Sequence, residues 1–545
     1  MLRRALALLG GLALVFAMGL WVRSLSTYRL EPDYGGTYTE GLVGNPKTLN
    51  PLFAHFNDTD KDLTYLIYSS LVQLNERGQP IPDLAKRWEI SADGLTYTFY
   101  LRDDVKWHDG TPFTAADVVA TVEAIQHPDF PGSLDFAALW QKVAAEKMGE
   151  FTVRFTLDKS FDPRASFLTY NGTIGILPAT QLTRTPVKEL LAMASKQALI
   201  GTGPFKLTDV TLDRAILEAN PDYYGGKPYL SSLILEFFPD YPTALNALKE
   251  KRIQGLLLRP SEADPGTLTQ LEKAKKYRVL DLLCPIYTFV SLDLRSPLFK
   301  DKELRQALLY ALNRSQVLTA GARGKGVVAE GPIPPETWAY ESKTRKYDLN
   351  LEKARGLLAQ AGWYPGADGV LEKDGVKFRF SLYTNDDPYR IRIGEELVRQ
   401  WRALGVKVDF AASGYAGLLR DRLVPHQFDA VILGIDAGYD PDPFKVWHSS
   451  QAKEDGLNFG SYASKEADAL MERACRTTDP KERIELYRQF QSLFAEEVPG
   501  LILYYPTYSY LLDDAVQGVK AGVLFEPSSR FLNITQWYVK TKKVK

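Results

Sequence analysis

The stretch Gly434–Asp442 (GIDAGYDPD) places three carboxylates, Asp436, Asp440 and Asp442, where the apolar run Phe428–Ile435 ends. The run reads as a buried strand. Loops at the carboxyl ends of strands are where open α/β sheets bind their ligands. A carboxylate there can hold a ligand cation through charge-assisted hydrogen bonds. Asp436 is read either in that role or as a cap of its own loop, and Asp440 and Asp442 as turn residues. Trp447, farther along, either walls a pocket or packs into a core. A second polar loop, His55–Asp60 (HFNDTD), follows Asn50–Pro51, and its Asn57 and Asp58 face either a ligand or solvent.

No catalytic constellation accompanies these groups. The five histidines, His55, His108, His127, His426 and His448, have no metal-ligand spacing among them. Gly321–Gly326 (GARGKG) has the glycines of a phosphate loop without its spacing or the following Ser/Thr, and reads as a flexible surface loop. No G-x-S-x-G elbow occurs. Cys284 and Cys475 suit neither a zinc site nor a redox motif. They are expected to be buried thiols, or one long-range disulfide if the fold brings them together. The expectation is a binding protein with no catalytic residue, no metal site and no cofactor.

The elements that must position these groups follow from periodicity. Thr37–Val43 reads as a strand and Leu63–Leu74 as a helix. Leu95–Leu101 alternates around Tyr97, Phe99 and Leu101, as a strand with one buried face does. Thr114 and Asp117 form a capping box. A helix from Leu134 leads to a strand at Phe151–Leu157. The strands Phe205–Val210, Ala215–Ala219 and Leu233–Phe238, the helix Thr243–Lys249 and the strand Ile253–Leu258 give a mixed α/β order. The second half repeats it. Phe378–Tyr383, the helix Arg390–Leu404, the Gly405 stop and Val406–Phe410 form a βαβ unit, which implies a parallel sheet covered by helices. Asp479, Pro480 and Glu482 open a helix running through Phe494. Leu501–Tyr505 and Tyr508–Leu512 read as two further strand-like runs.

At 545 residues the chain can bury two or three sizeable cores. A formal net charge of −1 argues against a nucleic-acid binder, which carries a basic excess. Aromatic residues are 12%, enough for some rings to line a cleft as well as fill cores. At the N-terminus, Arg3 and Arg4 precede an apolar run from Ala5 to Val22 that Arg23 closes. Its length, roughly 18 residues, is near the lower limit for a membrane-spanning helix. It reads as an export segment retained as an uncleaved anchor, or as a signal cleaved near Ala17–Gly19. Either way the rest of the chain lies outside the cytoplasm.

Trp88–Phe113 (WEISADGLTYTFYLRDDVKWHDGTPF) resembles the signature region of the family 5 solute-binding proteins, the oligopeptide-, dipeptide- and nickel-binding receptors of bacterial ABC importers. Matches continue in order through Ile200–Leu207 (IGTGPFKL), Asn220–Leu230 (NPDYYGGKPYL), Arg305–Asn313 (RQALLYALN), Leu351–Trp363 (LEKARGLLAQAGW) and Asp440–Ser450 (DPDPFKVWHSS). The resemblance implies an α/β fold of the two-lobed periplasmic-binding-protein type (type II), with an inserted subdomain and lobes joined by a hinge. It implies a tether and anchor at 1–34, a discontinuous first lobe at 35–79, 197–287 and 499–545, an insertion at 80–196, and a second lobe at 288–498. In peptide-binding relatives an aspartate of the Gly434–Asp442 loop grips the peptide ammonium. Asp436 is the nearest equivalent, although it precedes Asp440 by four residues where those relatives have three. By the same resemblance His55–Asp60 is the first ligand-facing loop, and Trp140 lies near where relatives present an aromatic ring to the cleft. Arg390 and Arg392 are candidates for a ligand carboxylate. The implied partners are a peptide or other small solute, an ABC permease with cytoplasmic ATPases, and the membrane through the N-terminal segment. The protein itself is expected to be a monomer.

Overall fold

One strand, Gly500–Asp513, runs for 14 residues where the sequence suggests two shorter runs. Pro506 lies at the expected break. It lacks an N–H, but its carbonyl accepts from Cys284 N at 3.0 Å and the residue pairs with Gly326, so the ladder continues across it. The computed structural model describes residues 29–544 apart from 160–165, 171, 193–198, 263, 275 and 521. The N-terminal apolar run therefore lies outside the described residues. Among those described, no helix is long and apolar enough to cross a membrane.

The long strand organises a 12-stranded sheet. Its first part, Gly500–Tyr504, pairs antiparallel with Ile286–Leu292, and beyond that lie Ala430–Asp436, Arg379–Asn385 and Lys407–Ser413. Its second part, Thr507–Asp513, pairs with Tyr277–Leu283 along one side and with Gly255–Leu258 along the other. Beyond Gly255–Leu258 lie Thr37–Val43, Ser232–Phe238, Arg214–Ala219 and Phe205–Val210. The fold is thus two-lobed. The chain passes between the lobes at Cys284–Pro285 and at Tyr505–Pro506.

Local chemistry explains the elements. Asp387 caps the helix Pro388–Leu404, Pro388 occupies its first position, and Gly405 ends it at φ 93°. The flanking strands Arg379–Asn385 and Lys407–Ser413 are parallel, as the βαβ reading expects. Leu397, Trp401 and Leu404 are buried together with Phe380 and Leu382. Full burial of such side chains contributes about 1.5–3 kcal/mol each. Residues 85–157 supply a four-stranded antiparallel sheet, Ala85–Ile90, Thr96–Leu101, Thr152–Leu157 and Val143–Gly149. Its Tyr97, Phe99 and Phe155 share one core with Leu42 and Leu235 of the large sheet.

Two element readings change. The helix read at Leu63–Leu74 is Asp58–Ile67, because the Asn57 side chain accepts from Thr59 N and starts it earlier. The chain then turns extended at Tyr68, and Val72–Leu74 pairs with Pro80–Pro82, so the boundary drawn at residue 80 falls inside a strand pair. Gly321–Gly326 is not a free loop. It holds the end of the helix Arg314–Ala322 and the start of a short strand, with Lys325 Nζ 3.0 Å from Asp281 Oδ2. Cys284 and Cys475 are both buried and free, the first of the two readings given to them, and no disulfide joins them.

Inside the first lobe lies a buried ionic cluster. Arg530 donates from Nη1 and Nη2 to both oxygens of Asp62 at 2.8 Å, and from Nε to Glu40 Oε1 at 2.9 Å. Tyr510 OH donates to Glu40 Oε2 at 2.7 Å, and Tyr38 OH to the same oxygen. The three charged residues are at most 3% exposed. Removing the one guanidinium strands two buried carboxylates. Arg530→Met should therefore destabilise the protein by about 3–5 kcal/mol in a urea titration. Two carboxylates on one cation leave an excess negative charge, and burial, opposed by Arg530, raises Asp62 to about 6. A carboxyl raised on folding contributes stability that is fully present below its unfolded value and lost as pH rises through the folded one. Asp62→Asn should flatten that loss between about pH 4 and 7, a difference on the order of 2 kcal/mol readable from melting curves.

Candidate functional site

The helix Asp58–Ile67 has two faces. Leu63, Leu66 and Ile67 point into the core. Lys61, Thr64, Tyr65 and, just beyond its end, Tyr68 recur at the i, i+3, i+4, i+7 spacing of one face. They line a cavity of about 470 Å³. Ser69, Ser70, Val72–Asn75, Asp83, Phe136, Tyr170, Tyr439 and Phe525–Glu526 are among the other wall residues. This volume lies in the range of small-molecule sites, and an aromatic lining with a few polar groups is what such sites use.

The polar groups are unevenly matched. Lys61 Nζ is paired with Glu526 Oε1 at 3.2 Å. Partial burial and the Lys61 charge hold the His55 imidazole below its usual value, which keeps it neutral. Asp83 is buried. It accepts from Ser70 N at 3.2 Å and from the Tyr224 hydroxyl, and burial raises its carboxyl to about 6. The Tyr68 hydroxyl is buried and has no hydrogen-bond partner among the described residues.

Tyr439 reaches the cavity from the second lobe on the loop Gly434–Asp442. Its ring lies 6.1 Å from those of both Tyr170 and Phe525. The loop is fixed at its far end by Asp440, which takes Arg483 Nη1 and Nη2 on its two oxygens at 2.8 Å each. Arg483 Nη2 also donates to Ser166 Oγ at 3.2 Å, and Tyr487 OH is 2.9 Å away. Asp440 is thus one half of a buried ion pair that meets a segment of the first lobe, a larger role than the turn residue expected. Asp442 does serve its turn, accepting from Phe444 N at 3.0 Å, and its second oxygen takes the Cys475 thiol at 3.0 Å. Gly438 has φ 68°, and a Cβ there would collide with the Tyr170 hydroxyl.

The five residues expected at a site are dispersed. Asp436 ends the strand Ala430–Asp436 exposed, its Oδ1 accepting from Gly438 N at 2.8 Å. Asn57 caps its helix and donates to Asn45 O at 2.8 Å. Asp58 is paired with Arg259 at 3.1 Å. Trp447 is buried, donating to Tyr287 OH at 3.1 Å and packing on Phe289 and Phe494. Trp140, also buried, stands one layer behind the cavity, edge-on to its wall residue Phe136. None of the five lines the cavity. Lys61, Tyr65, Tyr68, Asp83, Tyr439 and Glu526 do, and the helical spacing of the first three was the available signal. A helix started at Leu63 conceals it.

Across the cleft, Arg390 occupies the first turn of the helix Pro388–Leu404. Its Nη1 is buried without a partner among the described residues, as are Asn385 Oδ1 and Thr384 Oγ1. A Cβ on Gly434 would collide with this guanidinium. Arg392, in contrast, donates to Ala320 O at 3.1 Å. No group of three or more His, Cys, Asp or Glu among the described residues is placed to hold a metal ion.

Comparison with known proteins agrees with this two-lobed arrangement. The family model for bacterial extracellular solute-binding proteins, family 5 Middle, matches residues 79–456. The oligopeptide-binding protein AppA of Bacillus subtilis is 31% identical over 522 residues, covering 93% of this chain and 92% of its own. The solved structure of AppA from B. subtilis in complex with a nonapeptide matches with a TM-score of 0.64 at 30% identity, over 94% of this chain and 100% of that one. NikZ from Campylobacter jejuni, solved in complex with Ni(L-His), matches with a TM-score of 0.65 at 27% identity, over 92% and 99% of the two chains. The chain belongs to the bacterial extracellular solute-binding proteins of family 5.

Proposed function

We propose that the protein captures peptides in the cleft between its lobes, outside the cytoplasm, and hands them to the permease of an ABC importer, with no covalent step of its own. The observation that carries this reading is the polar imbalance across the cleft. One lobe offers an exposed carboxylate at Asp436 and a half-buried cation at Arg390 whose Nη1 has no partner among the described residues, and the other offers an aromatic cavity whose wall residue Tyr68 carries a hydroxyl likewise without one. A peptide supplies an ammonium, a carboxylate and side chains to these features. The similarity to an oligopeptide-binding protein supports the same ligand class. The N-terminal apolar run would hold the protein at the membrane.

Hinge closure is the proposed mechanism, with the lobes divided at two crossings a few residues from the boundaries drawn from sequence at 288 and 499. Backbone hydrogen bonds keep each half of the sheet rigid, and rotation is left to the crossings at Cys284–Pro285 and Tyr505–Pro506. Contacts across the cleft would secure the closed form. They include Tyr389 OH donating to Ser261 O at 2.7 Å, Trp338 N donating to Arg77 O at 3.1 Å, and the Asp440–Arg483–Ser166 chain. A ligand touching both lobes shifts the equilibrium toward that form by its differential affinity.

Mass spectrometry of what co-purifies with the protein should show a peptide mixture; a single sugar or metal chelate would overturn this reading. Asp436→Asn should weaken peptide binding by about tenfold or more in calorimetry, as loss of a charge-assisted hydrogen bond does, with an unchanged melting temperature. An unchanged affinity would remove Asp436 from the site. Arg390→Met should weaken peptides with a free carboxylate more than their amidated forms, by about tenfold.

A further inference from the structure

Asp83 is the charge in the cavity that nothing answers. It is 5% exposed and forms part of the wall. Its carboxylate accepts only from neutral donors: Ser70 N at 3.2 Å, the Tyr224 hydroxyl and the Gln73 side chain. No Lys or Arg among the described residues forms an ion pair with it. Of the other cations, the exposed wall residue Lys520 forms no ion pair with it among the described residues, and two more are already committed. Arg102 donates to both oxygens of Asp104 at 2.9 and 2.7 Å, and Lys61 is paired with Glu526. A buried carboxylate without a counter-ion is costly, and proteins rarely keep one without a use. A second observation points the same way. The Tyr68 hydroxyl, on a residue 5% exposed in the same wall, has no partner among the described residues although its oxygen can accept a hydrogen bond. The remaining lining includes the rings of Tyr65, Phe136, Tyr170 and Phe525, whose faces attract a cation.

We propose that this cavity is a subsite for the ammonium or guanidinium of a basic side chain on the bound peptide, with Asp83 as its counter-ion and the Tyr68 oxygen accepting a further hydrogen bond. The inference rests on the peptide-binding reading and narrows it: the protein prefers peptides carrying Lys or Arg at one position. Lys61 is neutralised by Glu526, and the other wall lysine, Lys520, is exposed, so solvent screens its charge. The cavity volume of about 470 Å³ holds a long basic side chain together with adjoining backbone.

The test uses the full-length protein in mild detergent at pH 7.5, equilibrated with an equimolar library of randomised peptides three to nine residues long. Retained peptides are sequenced by mass spectrometry. The wild type should enrich Lys and Arg at one position by about tenfold over the library, as a charge-assisted contact gives. Asp83→Asn should retain peptides without that enrichment. Tyr68→Phe, which loses no hydrogen bond within the protein, should reduce the enrichment severalfold at an unchanged melting temperature. Peptides retained by the wild type without basic enrichment would overturn the subsite and leave the peptide reading standing. The same follows if Asp83→Asn and Tyr68→Phe both keep the enrichment. A wild type that retains no peptide would overturn the peptide reading, and the subsite with it.

Discussion

Everything in this molecule depends on one strand belonging to both lobes. Gly500–Asp513 gives its first part to one half of the sheet and its second part to the other. Stretching the lobes apart would break a continuous ladder of backbone hydrogen bonds, each expensive to leave unmade when buried. Twisting them about Pro506 costs little by comparison, because the proline donates nothing to the ladder. The second crossing, Cys284–Pro285, lies alongside, with Cys284 N bonded to Pro506 O at 3.0 Å. Two adjacent crossings, each with a proline, define an axis and forbid most other motions. A cleft on one side of that axis is the geometric consequence.

Buried charge supplies the precision that hydrophobic packing does not. The Arg530 cluster joins the strand Thr37–Val43 and the helix Asp58–Ile67 to the C-terminal segment, far from both in sequence. It therefore sets the position of the helix whose other face carries Lys61, Tyr65 and Tyr68. Arg483 does the same for the second lobe, holding Asp440 so that Tyr439 reaches the cavity. A surface ion pair could not do this, since such pairs are worth little and hold no fixed geometry. Two bidentate guanidinium–carboxylate pairs thus fix the two sides of the cleft.

The contrast between what was and was not legible in the sequence follows from this. The βαβ unit around Pro388–Leu404 was readable because cap, apolar stripe and glycine stop are local signals. The Thr114–Asp117 capping box was readable for the same reason, with Thr114 N donating to Asp117 Oδ2 at 2.8 Å. Asp440 and Asp83 were not, because their meaning lies in partners distant in sequence: Arg483 for the first, Tyr224 for the second. Trp140 and Trp447 show the converse, Trp447 settling on the core-packing alternative of its two readings. An aromatic near a cleft in sequence can still face inward, and both are buried among other rings. The two runs Leu501–Tyr505 and Tyr508–Leu512 are one strand for a third reason: the flanking pairs carry the strand past Pro506.

The segment Trp88–Phe113, most telling of the family, contributes no residue to the cavity wall, yet it is connected to it. His108 N donates to Gly201 O at 2.9 Å, and the His108 Nε2 lies 3.0 Å from Gly203 O. Burial lowers the imidazole to about 4, so the ring stays neutral and acts as a fixed hydrogen-bonding unit. The Gly201–Gly203 turn it holds lies directly on the end of the helix Asp58–Ile67. Gly203 N donates to Ile67 O at 2.8 Å, and a Cβ at Gly201 would collide with that same carbonyl. The next residue is Tyr68, a wall residue whose buried hydroxyl has no partner among the described residues. The signature therefore acts on the site through two glycines and one carbonyl, setting where the cavity helix ends and where its last ring points. Scaffold and site are separated here by a chain of two hydrogen bonds, short enough that a change at His108 would be felt at Tyr68.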